Sequence, residues 1–70
     1  MTEIEIYSDF IKLDAFLKYC GAVGTGGEAK LRIAAGEVSV NGEACTQRGK
    51  KLRAGDIVGF GEETFAVKQG

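Results

Sequence analysis

The chain has 70 residues, a formal net charge of −1, 44% hydrophobic residues and no histidine. That length suits one small domain, which hides at most roughly 60% of its unfolded surface, and it leaves no room for a Rossmann or P-loop domain. The apolar content argues against disorder, and no apolar run approaches the ~18 residues of a membrane span.

The start, Met1 to Tyr7, is charged and alternating and does not read as a signal peptide. A cytoplasmic protein without a membrane partner is therefore expected. Cys20 and Cys45 are too few for a disulfide scaffold and too isolated for a zinc site. They are expected to pack as small hydrophobes. Without histidine the chain lacks the commonest general base and metal ligand. No catalytic constellation can be named, so neither enzymatic activity, a cofactor nor a small-molecule substrate is expected. The charge is unevenly spread. Residues 1–29 carry a net −3, residues 30–53 a net +4 from six bases and two acids, and residues 54–70 a net −2. A basic stripe of this kind attracts a polyanion even when the total charge does not.

In chain order, Glu3–Tyr7 alternates polar and apolar with Ile4 and Ile6 on one side, which predicts a short half-buried strand. Leu13, Phe16, Leu17 and Cys20 form one helical stripe. Asp14 suits the positive end of that helix and Gly21 its C-terminal stop. Thr25 and Glu28 have the spacing of a capping box, so GEAKLRIAA is a second helix ending at Gly36. The period then changes to two. Val38 and Val40 lead into Asn41-Gly42, a strong type I′ hairpin signal. A two-residue turn there sets Val40 opposite Glu43 and Val38 opposite Cys45, with Cys45 on the core side. The run TQRGKKLR reads as a loop or edge. The turn Ala54-Gly55-Asp56 leads into a strand IVGF, and Gly61-Glu62-Glu63 leads into a last strand TFAVK. The fold class expected is α+β: two short N-terminal helices packed on a small, mostly antiparallel sheet, with a short N-terminal strand. Phe10 and Tyr19 have faces that suit base stacking, but core packing is the expectation for both.

The segment CGAVGTGGEAK holds four of the eleven glycines. Gly24 to Ala29 even fits the dinucleotide fingerprint G-x-G-x-x-G/A, with Glu43 near the spacing of a ribose-binding acid. Its context does not fit. A helical stripe precedes it and an Asn-Gly hairpin follows, where a βαβ unit requires parallel strands on both sides. The P-loop pattern fails too, because Gly27 stands where lysine must be. The segment is expected to be a bend between two helices.

Together these residues carry a resemblance. Lys12-Leu13-Asp14, Gly21, Ala29 and Ile33, Gly36, Val38, Val40-Asn41-Gly42, Cys45, Leu52 and Gly55-Asp56 resemble, in order and spacing, the RNA-binding domain of the ribosomal protein S-four type, the alpha-L motif. The short standalone bacterial proteins of that type (the YbcJ/YaaA-like group) are similar over the whole chain. The resemblance implies a single RNA-binding domain over residues 1–70 with its core motif at 12–60, and a monomer that works alone or within a ribonucleoprotein complex. It implies a partner that is structured RNA, ribosomal or transfer RNA, met by the helices and the basic loop. The phosphate contacts it suggests are Lys12, Lys30, Arg48, Lys50 and Lys51, then Lys18 and Arg53, with Thr25 and the amides of Gly26 and Gly27 at a helix start. Many relatives open the second helix with Ser-Arg, where this chain has Thr25-Gly26. Leu31 and Arg32 also depart from the common order, so Arg32 flanks the core or reaches outward.

Two other readings have a footing. VNGE and LRAGDIVGF also resemble β-grasp sulfur carriers, although those begin with a hairpin and end in Gly-Gly, whereas this chain ends Lys68-Gln69-Gly70. An exposed helix pair also suits a protein-binding adaptor.

Overall fold

A computed structural model describes all 70 residues. In chain order the elements are β1 (Thr2–Ile6), β2 (Ile11–Lys12), α1 (Leu13–Tyr19), α2 (Gly26–Ala34), β3 (Val38–Val40), β4 (Glu43–Ala44), β5 (Lys51–Leu52), β6 (Ile57–Phe60) and β7 (Glu63–Gln69). The five-stranded sheet has the order β1-β7-β6-β3-β4, and β2 with β5 makes a separate two-stranded ribbon. The α+β architecture with two early helices agrees with the sequence. The sheet is mixed, because β1 runs parallel to β7 while the other pairings are antiparallel. No helix is long and apolar enough to cross a membrane.

One core joins every layer. Leu13, Phe16 and Leu17 of α1, Val23 of the bend, and Ala29 and Ile33 of α2 pack with Val38, Val40, Leu52, Val58, Phe65 and Val67. Ile6 of β1 completes the cluster. The Phe16 and Phe65 rings meet edge to face, with centroids 6.3 Å apart, the arrangement their quadrupoles favour. β1 and β7 lie outside residues 12–60, yet they supply Ile6, Phe65 and Val67 to this core.

The helix ends follow their local chemistry. Gly21 adopts φ +81°, which an L side chain resists. There the Gly21 and Ala22 N–H groups donate to the Lys18 and Leu17 carbonyls and close α1. Thr25 caps α2 by accepting from the Glu28 N–H at 3.1 Å. Glu28 reaches back to the Gly24 N–H, also at 3.1 Å, one residue earlier than a standard capping box. The Cys20 and Cys45 thiols are free and half-buried against the core. Burial, above all, pushes the Cys20 thiol up from its ordinary pKa, which keeps it in the unreactive form at neutral pH.

Two aromatic expectations need correction. Tyr19 is 54% exposed rather than core, and its hydroxyl donates to the Glu5 carbonyl at 2.7 Å. That bond spends the phenol on an acceptor of the sheet's edge strand. Phe10 is half-buried but stands outside the core cluster.

The Asn-Gly hairpin forms with the predicted register, Val40 opposite Glu43. Asn41 and Gly42 both have positive φ, +52° and +87°, as a type I′ turn demands. Asn41 does more than turn. Its Nδ2 donates to Asp56 Oδ1 at 3.0 Å, and its Oδ1 accepts from the Ile57 N–H at 2.9 Å. Asp56 Oδ2 accepts from the Arg53 N–H at 2.8 Å. Asn41→Gly keeps the turn's backbone freedom and deletes both side-chain bonds. We expect a loss of about 1–2 kcal/mol in folding free energy, measured by urea denaturation, and an unchanged midpoint would show that this tie contributes nothing.

Candidate nucleic-acid interface

The basic segment 48–53 is held against the start of α1. Lys12, the residue before that helix, makes no side-chain cap. The first-turn N–H groups find other acceptors: Leu13 donates to the Lys50 carbonyl at 2.9 Å and Asp14 to the Arg48 carbonyl at 3.1 Å. Ala15 donates to Asp14 Oδ1 at 2.7 Å. Asp14 therefore caps its own helix and pairs with no base. Next to this junction β2 and β5 pair antiparallel, with Ile11 opposite Leu52 and Lys12 opposite Lys51.

These contacts bring Lys12, Arg48, Lys50, Lys51 and Arg53 to one end of α1. Lys18 sits in the last turn of the same helix, about 9 Å along its axis from Lys12 at the helical rise. Lys30 lies on α2, and Thr25, Gly26 and Gly27 form that helix's start. The Gly26 and Gly27 N–H groups have no protein acceptor, while the Glu28 and Ala29 N–H groups donate to Thr25. A Cβ built at Gly26 meets nothing within 4 Å, so packing does not demand glycine there.

Charge pairing divides the nine bases cleanly. Arg32 lies 3.2 Å from Glu37 and 3.8 Å from Glu28, and Lys68 lies 3.3 Å from Glu3. Arg32 therefore reaches outward and is neutralised locally. Lys12, Lys18, Lys30, Arg48, Lys50, Lys51 and Arg53 have no carboxylate within 4.0 Å, and all seven are exposed. The bases free to meet an outside anion are the seven that the sequence pointed to. An open concavity beside the hairpin, lined by Asn41, Cys45, Gln47 and Lys50 among others, adjoins this segment.

Sequence reasoning missed the part played by Phe10. Lys51 Nζ lies 4.8 Å from the centre of its ring and Arg53 Cζ 5.8 Å. The signal was present in two short alternating stretches, Phe10-Ile11-Lys12 and Lys51-Leu52-Arg53. Each has an apolar residue between two that face the other way.

The glycine-rich bend joins α1 to α2, and α2 leads into an antiparallel hairpin, so no βαβ unit surrounds it. Two helices also precede the Asn-Gly hairpin, unlike the hairpin-first order of β-grasp carriers. Residues 4–68 match the family model of the S4 domain. The chain is similar to the probable ribosome maturation protein RlbA of Bacillus subtilis (strain 168), with 43% identity over 61 residues that cover 83% of this chain and 86% of that protein. A match over nearly the whole length, on a fold with the helix pair, hairpin and unpaired bases described above, places this chain in the S4 domain family of non-catalytic RNA-binding proteins.

Proposed function

We propose that the chain acts as one RNA-binding domain on structured ribosomal RNA during ribosome maturation, in the cytoplasm and as a monomer. The observation that carries this reading is the split among the bases: seven exposed cations without carboxylate partners, five of them gathered where the basic segment meets α1. The ribosomal RNA assignment draws on the similarity to a probable ribosome maturation protein. Lysine and arginine contacts to phosphates supply affinity, and the shape of the folded RNA supplies most of the selectivity. The free Gly26 and Gly27 N–H groups, with Thr25 beside them, add hydrogen-bond donors for a phosphate at the start of α2.

Fluorescence anisotropy with a labelled ribosomal RNA fragment, across a salt series, tests this reading. The logarithm of the binding constant should fall linearly with the logarithm of salt concentration, by about 0.7–0.9 in slope for each phosphate contact. Affinity that does not respond to salt would sink the proposal. Lys50→Glu combined with Lys51→Glu should weaken binding at least tenfold while the circular dichroism spectrum stays unchanged.

A gain of function is also expected. Open space at Gly26 admits an arginine at the position where relatives often carry one. Gly26→Arg should tighten binding several-fold and steepen the salt slope by about one contact. An unchanged slope would place the start of α2 away from the RNA.

A further inference from the structure

The outer face of the β2–β5 ribbon carries an arrangement that packing alone does not explain. Ile11 and Leu52 are cross-strand partners, and both turn toward the core. Alternation along each strand then sets Lys12 and Lys51 on the opposite face, with Phe10 and Arg53 one step beyond the pairing and on that same face. Lys12 directly faces Lys51, a like-charge pair that weakens an isolated sheet. None of the three cations has a carboxylate within 4.0 Å. In place of an acid, the ribbon offers an aromatic ring. Lys51 Nζ and Arg53 Cζ lie 4.8 and 5.8 Å from the Phe10 centroid, within the ~6 Å reach of a cation–π contact. Ser8 Oγ donates to the Phe10 carbonyl at 2.8 Å and fixes the bend that carries the ring.

We propose that Phe10 is a positioning residue for RNA binding: its ring holds the Lys51 and Arg53 side chains in place in the free protein, so that with Lys12 they form a ready-made cradle for the phosphates of one RNA strand. This rests on the RNA-binding reading above. Long basic side chains lose rotamer freedom when they grip a phosphate. A ring that already gathers two of them removes part of that cost. Unlike a carboxylate, it does so without neutralising their charge. The like-charge pair is then tolerated in the free protein because its role is completed by an anion.

The test compares wild type, Phe10→Leu, Phe10→Tyr, Lys51→Gln/Arg53→Gln and the triple variant, using the same ribosomal RNA fragment and salt series. Leucine keeps the apolar bulk and removes the ring. Phe10→Leu should weaken binding about threefold to fivefold without altering the salt slope, because the phosphate contacts themselves remain. Phe10→Tyr should restore affinity. In the Lys51→Gln/Arg53→Gln background, Phe10→Leu should have no further effect. A separate reading needs no RNA: the Lys51 and Arg53 side-chain methylene protons should be shifted upfield by the ring current in wild type, and this shift should vanish in Phe10→Leu. The proposal is overturned if wild type shows no such shift, or if Phe10→Leu binds as wild type does. It is also overturned if Phe10→Leu weakens the Lys51→Gln/Arg53→Gln protein equally, which would mean that the ring stacks on a base directly. Wild-type protein that shows the ring-current shift but no salt-dependent binding would instead overturn the RNA-binding reading.

Discussion

The first turn of α1 depends on acceptors that its own sequence does not supply. A helix start leaves four N–H groups without intrahelical partners, and Lys12 has no oxygen in its side chain with which to cap them. Two of these groups, those of Leu13 and Asp14, instead donate to the carbonyls of Lys50 and Arg48. This makes the basic segment part of the helix end. Its backbone is committed inward and Leu52 enters the core, while its basic side chains, which the core cannot use, remain exposed. A stretch that looks like a loop by composition thus becomes a fixed platform. The bases it presents have their Cα positions set by hydrogen bonds in a 70-residue fold.

The far end of the same segment is anchored just as firmly. Asp56 takes the Arg53 N–H with one carboxylate oxygen and the Asn41 amide with the other. The Asn41 carbonyl oxygen in turn takes the Ile57 N–H. Asn41 and Asp56 therefore lock the hairpin turn to the turn that precedes β6. Leu52, fully buried between the two anchors, pins the middle. The Asn-Gly and Gly-Asp pairs serve this scaffold first. With both ends of its side-chain amide engaged, Asn41 has little left to offer an RNA.

Much of this was legible in the sequence because it is local. The stripe Leu13, Phe16, Leu17 and Cys20 reports one helix face, and Thr25 with Glu28 reports the start of the next. Asn41-Gly42 fixes a register that determines where Cys45 falls. The pairing of Arg32 with Glu28 is local as well, since residues four apart are neighbours on a helix. Other features are set by contacts between distant segments. The parallel pairing of β1 with β7 joins the two ends of the chain, and nothing within Thr2–Ile6 names its partner. The Lys68–Glu3 ion pair follows from that register and is invisible for the same reason. Two-residue strands such as β2 and β5 are too short for a periodic signal, so the ribbon that assembles Phe10, Lys12, Lys51 and Arg53 could be seen only in three dimensions. Phe10 and Tyr19 mislead because large aromatics usually belong to the core. Here each is drawn outward by a specific partner, two cations in one case and a strand carbonyl in the other.

An acidic sequence pI of about 5.3 sits comfortably with an RNA-binding surface once distance is considered. At physiological ionic strength a charge is felt over about 8 Å, while the molecule measures 29 × 21 × 18 Å. An approaching phosphate therefore responds to the side chains in its immediate neighbourhood and hardly to the sum over the chain. On the β2–β5 ribbon that neighbourhood holds Lys12, Lys51 and Arg53 with no carboxylate in pairing range. The total charge matters in another way. A strongly basic domain of this size would adhere to any polyanion, whereas a net charge of −1 gives little long-range attraction and leaves affinity to contacts made in register. On the proposed function, binding then calls for an RNA whose phosphates match the spacing of the ribbon, the basic segment and the start of α2 together. The selectivity for folded RNA that the proposal carries would then come from how few unpaired bases this chain has and how firmly its backbone holds them.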